Sequence, residues 1–141
     1  MKTRKKSFSD ILEDTRIRTR RKLLKKIPSW AGVEGLEFPS SLSLEQCSSE
    51  ATATFKARLI KEKFAHPDTI CDLTCGLGVD SWAFSAIASK VISFERDKDL
   101  AEAVRNNYSA LKADNIDLRC EDVSSLDTLP ECDLFYADPA R

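Results

Sequence analysis

The sequence predicts an α/β fold in which a parallel sheet follows a helical N-terminal segment. From Thr69 onward, short apolar runs alternate with longer segments whose apolar residues recur every three or four positions. The first pattern is typical of buried strands and the second of amphipathic helices. Short connections between these elements favour right-handed crossovers, which place successive strands parallel in one sheet. With 141 residues, 42% of them hydrophobic, the chain is long enough to form one domain with a real core.

Residues 67–141 are expected to contain the sheet. The strands are predicted at residues 70–73, 91–94, 116–120 and 132–136, and the helices between them at residues 80–89 and 100–111. The helix assignments rest on apolar residues that share one helical face, such as Ala101, Val104 and Tyr108 in the second helix.

Residues 1–66 are predicted to form a basic helical segment. The apolar positions of residues 8–27 predict one helix, which Ser7 or Ser9 caps and Pro28 ends.

A second helix is predicted over residues 44–63, because Ala51, Phe55 and Leu59 recur at i, i+4 spacing. His66, the single histidine, stands before a proline at the end of this segment. We interpret His66 as a turn residue rather than a catalytic group.

The net charge of −1 conceals a strong asymmetry along the chain. Residues 1–26 hold eleven of the 22 Lys and Arg residues but only three of the 23 Asp and Glu residues. A basic arm on an acidic body favours a polyanionic partner such as RNA. The alternative is a basic helix face that is merely solvated.

Cysteine usage and hydropathy indicate a cytoplasmic protein. The odd number of cysteines and their position in mostly apolar segments predict reduced, buried thiols rather than disulfides or metal ligands. No apolar run approaches the roughly 18 residues that span a membrane, and no apolar segment follows the basic start as in a secretory signal. The five cysteines are Cys47, Cys71, Cys75, Cys120 and Cys132.

The sequence Ile-Cys-Asp-Leu-Thr-Cys-Gly-Leu-Gly at residues 70–78 runs from a strand through a glycine turn into a helix. Gly76 and Gly78 let the backbone turn tightly and approach a ligand, and the next helix presents free N–H groups. Asp72 is placed to accept hydrogen bonds from backbone amides or from a ligand ammonium. A plain strand-to-helix turn is the alternative interpretation.

Two further acids follow the next two predicted strands. Glu95 lies 23 residues after Asp72, where a carboxylate can bind both hydroxyls of a ribose. Asp122 follows the third strand, where it can meet the exocyclic amine of adenine. Acids at three strand ends therefore predict a site for an adenosine-containing cofactor at the carboxyl edge of the sheet.

Residues 69–141 resemble the front half of a class I S-adenosyl-L-methionine-dependent methyltransferase. Residues 72–78 are similar to the acidic, glycine-rich first motif of these enzymes, with Thr74 in place of a more usual glycine. Glu95 matches the acid of the second strand and Asp122 the acid beside adenine. The sequence Asp138-Pro139-Ala140-Arg141 resembles the fourth motif, (Asp/Asn)-Pro-Pro-(aromatic), of enzymes that methylate amino groups on bases.

Within this class, the fourth motif is most similar to bacterial RNA methyltransferases that carry a THUMP-like RNA-binding domain. Residues 43–50, followed by Phe55 and Lys56, also resemble the segment that precedes the first strand in those proteins. The motif is less similar to that of the cap trimethylguanosine synthases.

The resemblance implies a Rossmann-like parallel sheet, with strands in the order 3-2-1-4 present out of seven. It implies S-adenosyl-L-methionine (SAM) as the cofactor and methylation of an exocyclic amine on an RNA base, such as guanine N2 or adenine N6. Asp138 and the Pro139 carbonyl would accept hydrogen bonds from that amine. The residues expected around the cofactor are Asp72, Thr74, Gly76, Gly78, Asp80, Glu95 and Asp122.

Several alternatives stay open. Ala140 and Arg141 depart from the motif, and an arginine at that position also occurs in relatives that methylate a uracil carbon. The substrate could instead be DNA, a protein or a small molecule. Glu95 would serve a nicotinamide cofactor equally well, although Asp72 and the Asp-Pro pair favour the methyl donor. A four-stranded chain is also expected to be a fragment that binds cofactor without catalysis and self-associates through the edge of its fourth strand.

Overall fold

The computed structural model describes residues 5–139. Lys2 and Arg4 of the predicted basic arm, and Ala140 and Arg141 of the fourth motif, lie outside the described residues. The helices are α1 (Phe8–Lys26), α2 (Pro28–Ala31), α3 (Ser41–Gln46), α4 (Glu50–Lys63), α5 (Val79–Ser85) and α6 (Lys98–Ala110). The strands are β1 (Thr69–Asp72), β2 (Lys90–Phe94), β3 (Ile116–Arg119) and β4 (Leu134–Tyr136), and a 3₁₀ turn spans Val123–Ser125.

The four strands form one parallel sheet in the order β3-β2-β1-β4, which confirms the predicted fold. In this register Asp72, the last residue of β1, lies beside Ser93 of β2 and Tyr136 of β4. The carboxyl ends of these strands therefore meet at one edge of the sheet. The segments that carry the predicted site residues all leave the sheet from this edge.

The basic helix α1 forms as its sequence predicts. Ser7 is its cap, because the Ser7 side chain accepts from the Asp10 N–H while the Asp10 carboxylate accepts from the Ser7 N–H. The helix ends at Lys26, and Pro28 then begins α2 at the first helical position, where a missing N–H costs nothing.

The single helix predicted over residues 44–63 is wrong, since the segment forms two helices, α3 and α4. Ser40 caps the first and Ser49 caps the second by accepting from the Thr52 N–H at 3.1 Å. A serine at such a position binds free helix-end amides, which favours a new start over continuation of the preceding helix. The break therefore lies at residues 47–49.

The buried face of α4 is made of small residues. Ala53 and Ala57 are buried, whereas Phe55 and Leu59, whose spacing revealed the helix, remain about half exposed. The small side chains allow α4 to pack closely against α5.

The two faces of the sheet are covered unequally. One face packs on a large core in which side chains from all six helices take part, including the fully buried Trp30 and Phe84. The opposite face carries a small cluster of Cys71, Ile92 and Phe94. On that face Phe135 of β4 lies beside Cys71 in the register and is 47% exposed.

The thiols differ in burial, which corrects part of the expectation. Cys71 and Cys75 are buried, but Cys120 is exposed, because it stands just beyond β3 rather than within it. Burial raises the pKa of Cys71 to about 12, so this thiol stays protonated at neutral pH.

Within residues 5–139, no helix has the length and apolar character needed to cross a bilayer. The same part of the chain brings together no set of three His, Cys, Asp or Glu side chains arranged to bind a metal ion.

We expect Ala57→Leu to lower the free energy of unfolding by about 1–3 kcal/mol, because the larger side chain overpacks the contact between α4 and α5. The matched control is Ala51→Leu on the exposed face of the same helix, which should change stability by less than about 0.5 kcal/mol. Urea unfolding of both variants makes this comparison. Equal effects would show that the buried face of α4 is not the one described.

Candidate functional site

The turn of residues 73–78, between β1 and α5, is the centre of the candidate site. Gly76 and Gly78 both have positive φ angles, 57° and 86°, which favour glycine. A Cβ atom on Gly78 would lie 2.1 Å from the hydroxyl of Tyr108, whereas a Cβ on Gly76 would meet nothing within 4 Å. Gly78 is therefore needed for packing against α6. Gly76 is the glycine whose backbone borders open space that a ligand can occupy.

Asp72 supports the turn from inside the protein. Its carboxylate is fully buried and accepts hydrogen bonds from the Thr74 N–H at 3.0 Å and from the Ser81 hydroxyl at 2.6 Å. The Ser81 hydroxyl lies 2.7 Å from that of Ser93 on the neighbouring strand. Burial raises the pKa of Asp72 to about 6, although the hydrogen bonds from Ser81 and Thr74 oppose the rise. The backbone-amide role expected for Asp72 is the one that the structure displays.

Glu95 lies at the end of β2, directly beside the open side of the turn. One carboxylate oxygen accepts from the Gly76 N–H and the other from the Asp97 N–H, both at 2.9 Å. The side chain is half-buried. Glu95 thus places a negative charge next to the glycine backbone that a ligand can approach.

Asp122 follows β3 and caps the 3₁₀ turn. Its carboxylate accepts from the backbone N–H of Ser124 at 2.9 Å and from the Ser124 hydroxyl at 2.7 Å. These hydrogen bonds lower the pKa of Asp122. Among the described residues, Asp122 makes no hydrogen bond to the other predicted ligands of the cofactor.

Thr74 joins the glycine turn to the end of β4. Its hydroxyl accepts a hydrogen bond of 2.7 Å from the Asp138 N–H. A glycine, the more usual residue at this place, has no side chain to make this contact. The Asp138 side chain is 64% exposed and Pro139 is also exposed, so both face solvent at the carboxyl edge.

Asp80, in the first turn of α5, belongs to a polar network that the sequence did not reveal. Its carboxylate accepts from the Tyr136 hydroxyl at 2.8 Å, from the Ser48 hydroxyl at 3.0 Å and from the Lys56 ammonium at 3.2 Å. The Lys56 ammonium also lies 3.7 Å from the Asp138 carboxylate. The network therefore reaches from Asp80 to the predicted catalytic aspartate.

Lys56 is the functional candidate that the sequence analysis missed. A signal was present, because Lys56 follows the buried Ala53 by three positions and precedes the buried Ala57. A lysine on the inward side of a helix indicates a partner for its charge. The spacing of Phe55 and Leu59 pointed to a different face of α4.

The structure thus brings most of the predicted site residues to one edge. Hydrogen bonds connect Glu95 to Gly76, and connect Asp72 to Asp138 through Thr74. This arrangement offers a carboxylate and an open backbone for one ligand, and an exposed Asp-Pro pair for a second ligand.

Comparisons with known proteins place this fold among methyltransferases. Neither a protein-family model nor a curated protein matches the chain. Among solved structures, a proposed methyltransferase from Porphyromonas gingivalis W83 superimposes with a TM-score of 0.74 at 34% sequence identity. The match covers 90% of this chain and 32% of that protein, so the chain spans about a third of its length.

More distant structures share the fold alone. A proposed RNA methyltransferase from Pyrococcus horikoshii matches with a TM-score of 0.57 at 22% identity, covering 82% of this chain and 59% of that one. The N-terminal domain of EvdMO1, with S-adenosylhomocysteine (SAH) bound, matches with a TM-score of 0.53 at 21% identity. This match covers 79% of this chain and 48% of the EvdMO1 chain. The order 3-2-1-4 and the flanking helices are those of the Rossmann-like methyltransferase fold.

The raised pKa of Asp72 predicts a specific pH dependence of stability. The pKa of Asp72 in the folded protein, about 6, exceeds the ordinary value of 3.8, so protonated Asp72 stabilises the folded state. This stabilisation is complete below pH 3.8 and is lost as the pH rises through 6. The loss amounts to about 3 kcal/mol at most. Urea unfolding from pH 4 to pH 7 should therefore show the wild type losing stability relative to Asp72→Asn. Carboxylates with lowered pKa, such as Asp122, are present in both proteins and cancel in this difference, so parallel pH curves would contradict the assignment.

Proposed function

We propose that the chain forms the cofactor-binding part of a SAM-dependent methyltransferase that acts on an exocyclic amine of an RNA base. One observation carries the proposal. The open backbone of Gly76 lies beside the Glu95 carboxylate, and Thr74 in the same turn holds the Asp138-Pro139 pair. This arrangement supports a donor site and an acceptor site on two sides of one short loop.

The residues present fit SAM. Glu95 offers carboxylate oxygens to ribose hydroxyls, Gly76 leaves space against its backbone, and Asp122 offers an acceptor for the adenine amine. SAM has no phosphates, so acidic residues at the strand ends suit it better than a cluster of bare amides. The SAH-bound domain of EvdMO1 supports this choice at the level of the fold.

The other residues predicted around the cofactor contribute in different ways. Asp72 and Gly78 act through the shape of the turn, because the first is fully buried and the second packs against Tyr108. Thr74 lies near the start of the turn of residues 73–78, and Asp80 lies in the first turn of α5, just after the turn ends.

Alignment of the target is the main task of the catalytic residues. The exposed Asp138 carboxylate accepts a hydrogen bond from the target amine, and the Pro139 carbonyl accepts another, so the nitrogen lone pair is directed to the donor. When bound, SAM would supply a methyl group on a sulfonium sulfur, and that sulfur is a good leaving group because it departs as a neutral thioether. Asp138 therefore has to orient the amine rather than act as a strong base.

RNA is the proposed substrate because α1 carries exposed positive charge. Lys22 binds Glu45 at 2.8 Å, and Lys26 donates to backbone carbonyls of α3, so these two lysines hold helices together. The arginines of α1 point to solvent, where they can meet phosphate groups. They are Arg16, Arg18, Arg20 and Arg21.

The similarity of residues 138–141 to bacterial RNA methyltransferases with a THUMP-like domain also supports RNA as the substrate. We further propose that the protein is cytoplasmic. DNA, a protein or a small molecule is the alternative substrate.

A second candidate function is cofactor binding without catalysis by this chain alone. It is favoured by the half-exposed Phe135 at the outer strand β4 and by the third of the Porphyromonas protein that the chain spans. An apolar outer strand favours pairing with another chain, which would appear as self-association.

The cofactor site is tested by titrating the protein with SAH in a calorimeter. We expect Glu95→Ala to weaken binding by about 2 kcal/mol, or roughly 30-fold, through the loss of hydrogen bonds to a charged acceptor. Asp122→Ala should lose less, because water can replace part of a contact at the adenine edge.

The exposed Glu62→Ala on α4 is the matched control and should bind as the wild type does. Circular dichroism confirms that the Glu95 variant is folded, since Glu95 also holds the Gly76 amide. Unchanged affinity would remove Glu95 from the site, and a wild-type protein that does not bind SAH would refute the proposed function.

The role of α1 is tested by replacing Arg16, Arg18, Arg20 and Arg21 with glutamine. If these arginines contact phosphates, the variant should bind single-stranded RNA more weakly, and the salt dependence of binding should become less steep by about 3 in log–log slope. Fluorescence anisotropy at several salt concentrations measures this slope.

The control replaces four exposed lysines away from α1 with glutamine and removes the same total charge. An equal change in both variants would mean that only net charge matters and that α1 is a solvated face. The control positions are Lys61, Lys63, Lys98 and Lys112.

A further inference from the structure

Lys56 connects the helical N-terminal segment to the end of β4. Its ammonium lies 2.6 Å from the Tyr136 hydroxyl, 3.1 Å from the Ser48 hydroxyl and 3.2 Å from the Asp80 carboxylate. An ammonium has three N–H donors, and these three partners match them in number. Only 25% of the Lys56 side chain is exposed, so its position is well defined by its neighbours.

The partners of Lys56 also bind one another. The hydroxyls of Tyr136 and Ser48 donate to Asp80, which leaves their lone pairs available to the ammonium. Tyr136 further packs edge-on against Phe84 of the core, with ring centroids 5.0 Å apart. The end of β4 is thus fixed to α4 and α5 by a closed set of polar contacts and one aromatic contact.

The contact between Lys56 and Asp138 is an ion pair without a hydrogen bond, unlike the contacts described above. At 3.7 Å the ammonium attracts the carboxylate, but the separation is too long for a hydrogen bond. The oxygens of Asp138 therefore keep their lone pairs for another donor. Meanwhile the Asp138 backbone is held from the other side by the Thr74 hydroxyl at 2.7 Å.

We propose that Lys56 is a positioning residue for Asp138, acting through Tyr136 and through its charge to hold the carboxylate where a target amine can reach it. The proposal rests on the proposed function for the identity of that amine. The positioning itself is a property of this chain and can be measured without methyl transfer.

The test is the hydrogen exchange of the Asp138 amide, followed by NMR in the full 141-residue chain. Without the ammonium, residues 136–138 should separate more often from the glycine turn and open the bond between Asp138 and Thr74. Lys56→Met should therefore speed exchange at Asp138 by roughly three- to tenfold, as expected for the loss of a hydrogen bond and a partly exposed ion pair. The amides of Cys71 and Ile92, in the middle of the sheet, should change much less.

Three variants complete the design. Thr74→Val removes the acceptor and should give fast exchange at Asp138 whatever residue 56 is. Lys56→Arg keeps the charge and should restore slow exchange, whereas Lys61→Met, on an exposed position of the same helix, should have no effect.

Unchanged exchange at Asp138 in Lys56→Met would overturn the proposal. So would equal acceleration at Asp138, Cys71 and Ile92, because that result means general loss of stability rather than loss of positioning. The SAH titration of the wild type tests the cofactor site separately, so failure of one proposal can be told from failure of the other.

Discussion

The hydrogen bonds of the buried Asp72 carboxylate set the geometry on which the rest of the site depends. Asp72 fixes the Thr74 amide and, through Ser81, the first turn of α5. With both ends of the loop held, the backbone of Gly76 is presented to Glu95 and the Thr74 hydroxyl is presented to Asp138. Burying this carboxylate without a cation within hydrogen-bond distance carries a cost, which its raised pKa expresses. Such a cost is typical of groups retained for the shape of a site rather than for stability.

The distribution of charge at the carboxyl edge follows a simple division. On one side of the turn, Glu95 and Asp122 bind backbone amides and lie at the ends of β2 and β3. On the other side, near the end of β4, Lys56 lies beside two carboxylates, Asp80 and Asp138, and offsets one of their two negative charges. The first side thus has two carboxylates bound to backbone amides, whereas the second has two carboxylates and one ammonium.

The features that local pattern determines were the ones the sequence predicted well. The parallel sheet followed from alternating periodicity and crossover handedness, whereas its strand order followed from the resemblance to class I methyltransferases. The helix start followed from a capping pattern that offered Ser7 or Ser9. The break between α3 and α4 is also determined locally, because Ser49 caps α4. The continuous apolar spacing of this segment nevertheless predicted a single helix.

The rest depended on contacts between distant parts of the chain. The sequence treats Gly76 and Gly78 alike, and only Tyr108, thirty residues later, makes one a packing position and the other an open one. The role of Lys56 depends on its contact with Tyr136, eighty residues further along the chain. No rule of sequence spacing relates these two residues. The positions of the strand ends identified the predicted ligands of the cofactor. They did not identify the groups that hold those ligands in place.

The contact between the Thr74 hydroxyl and the Asp138 amide has a thermodynamic consequence. If the methyl donor and the target base bind as proposed, one loop belongs to both binding surfaces, so occupancy of one surface would change the free energy of binding at the other through the same pair of atoms. Linkage requires this effect to be mutual. If the bound methyl donor raises the affinity for the target base, the bound base must raise the affinity for the methyl donor by the same factor. A glycine at position 74 would remove this route of communication while leaving both surfaces in place. Under the proposed function, Thr74 would therefore make the binding of the methyl donor and of the target base cooperative rather than independent.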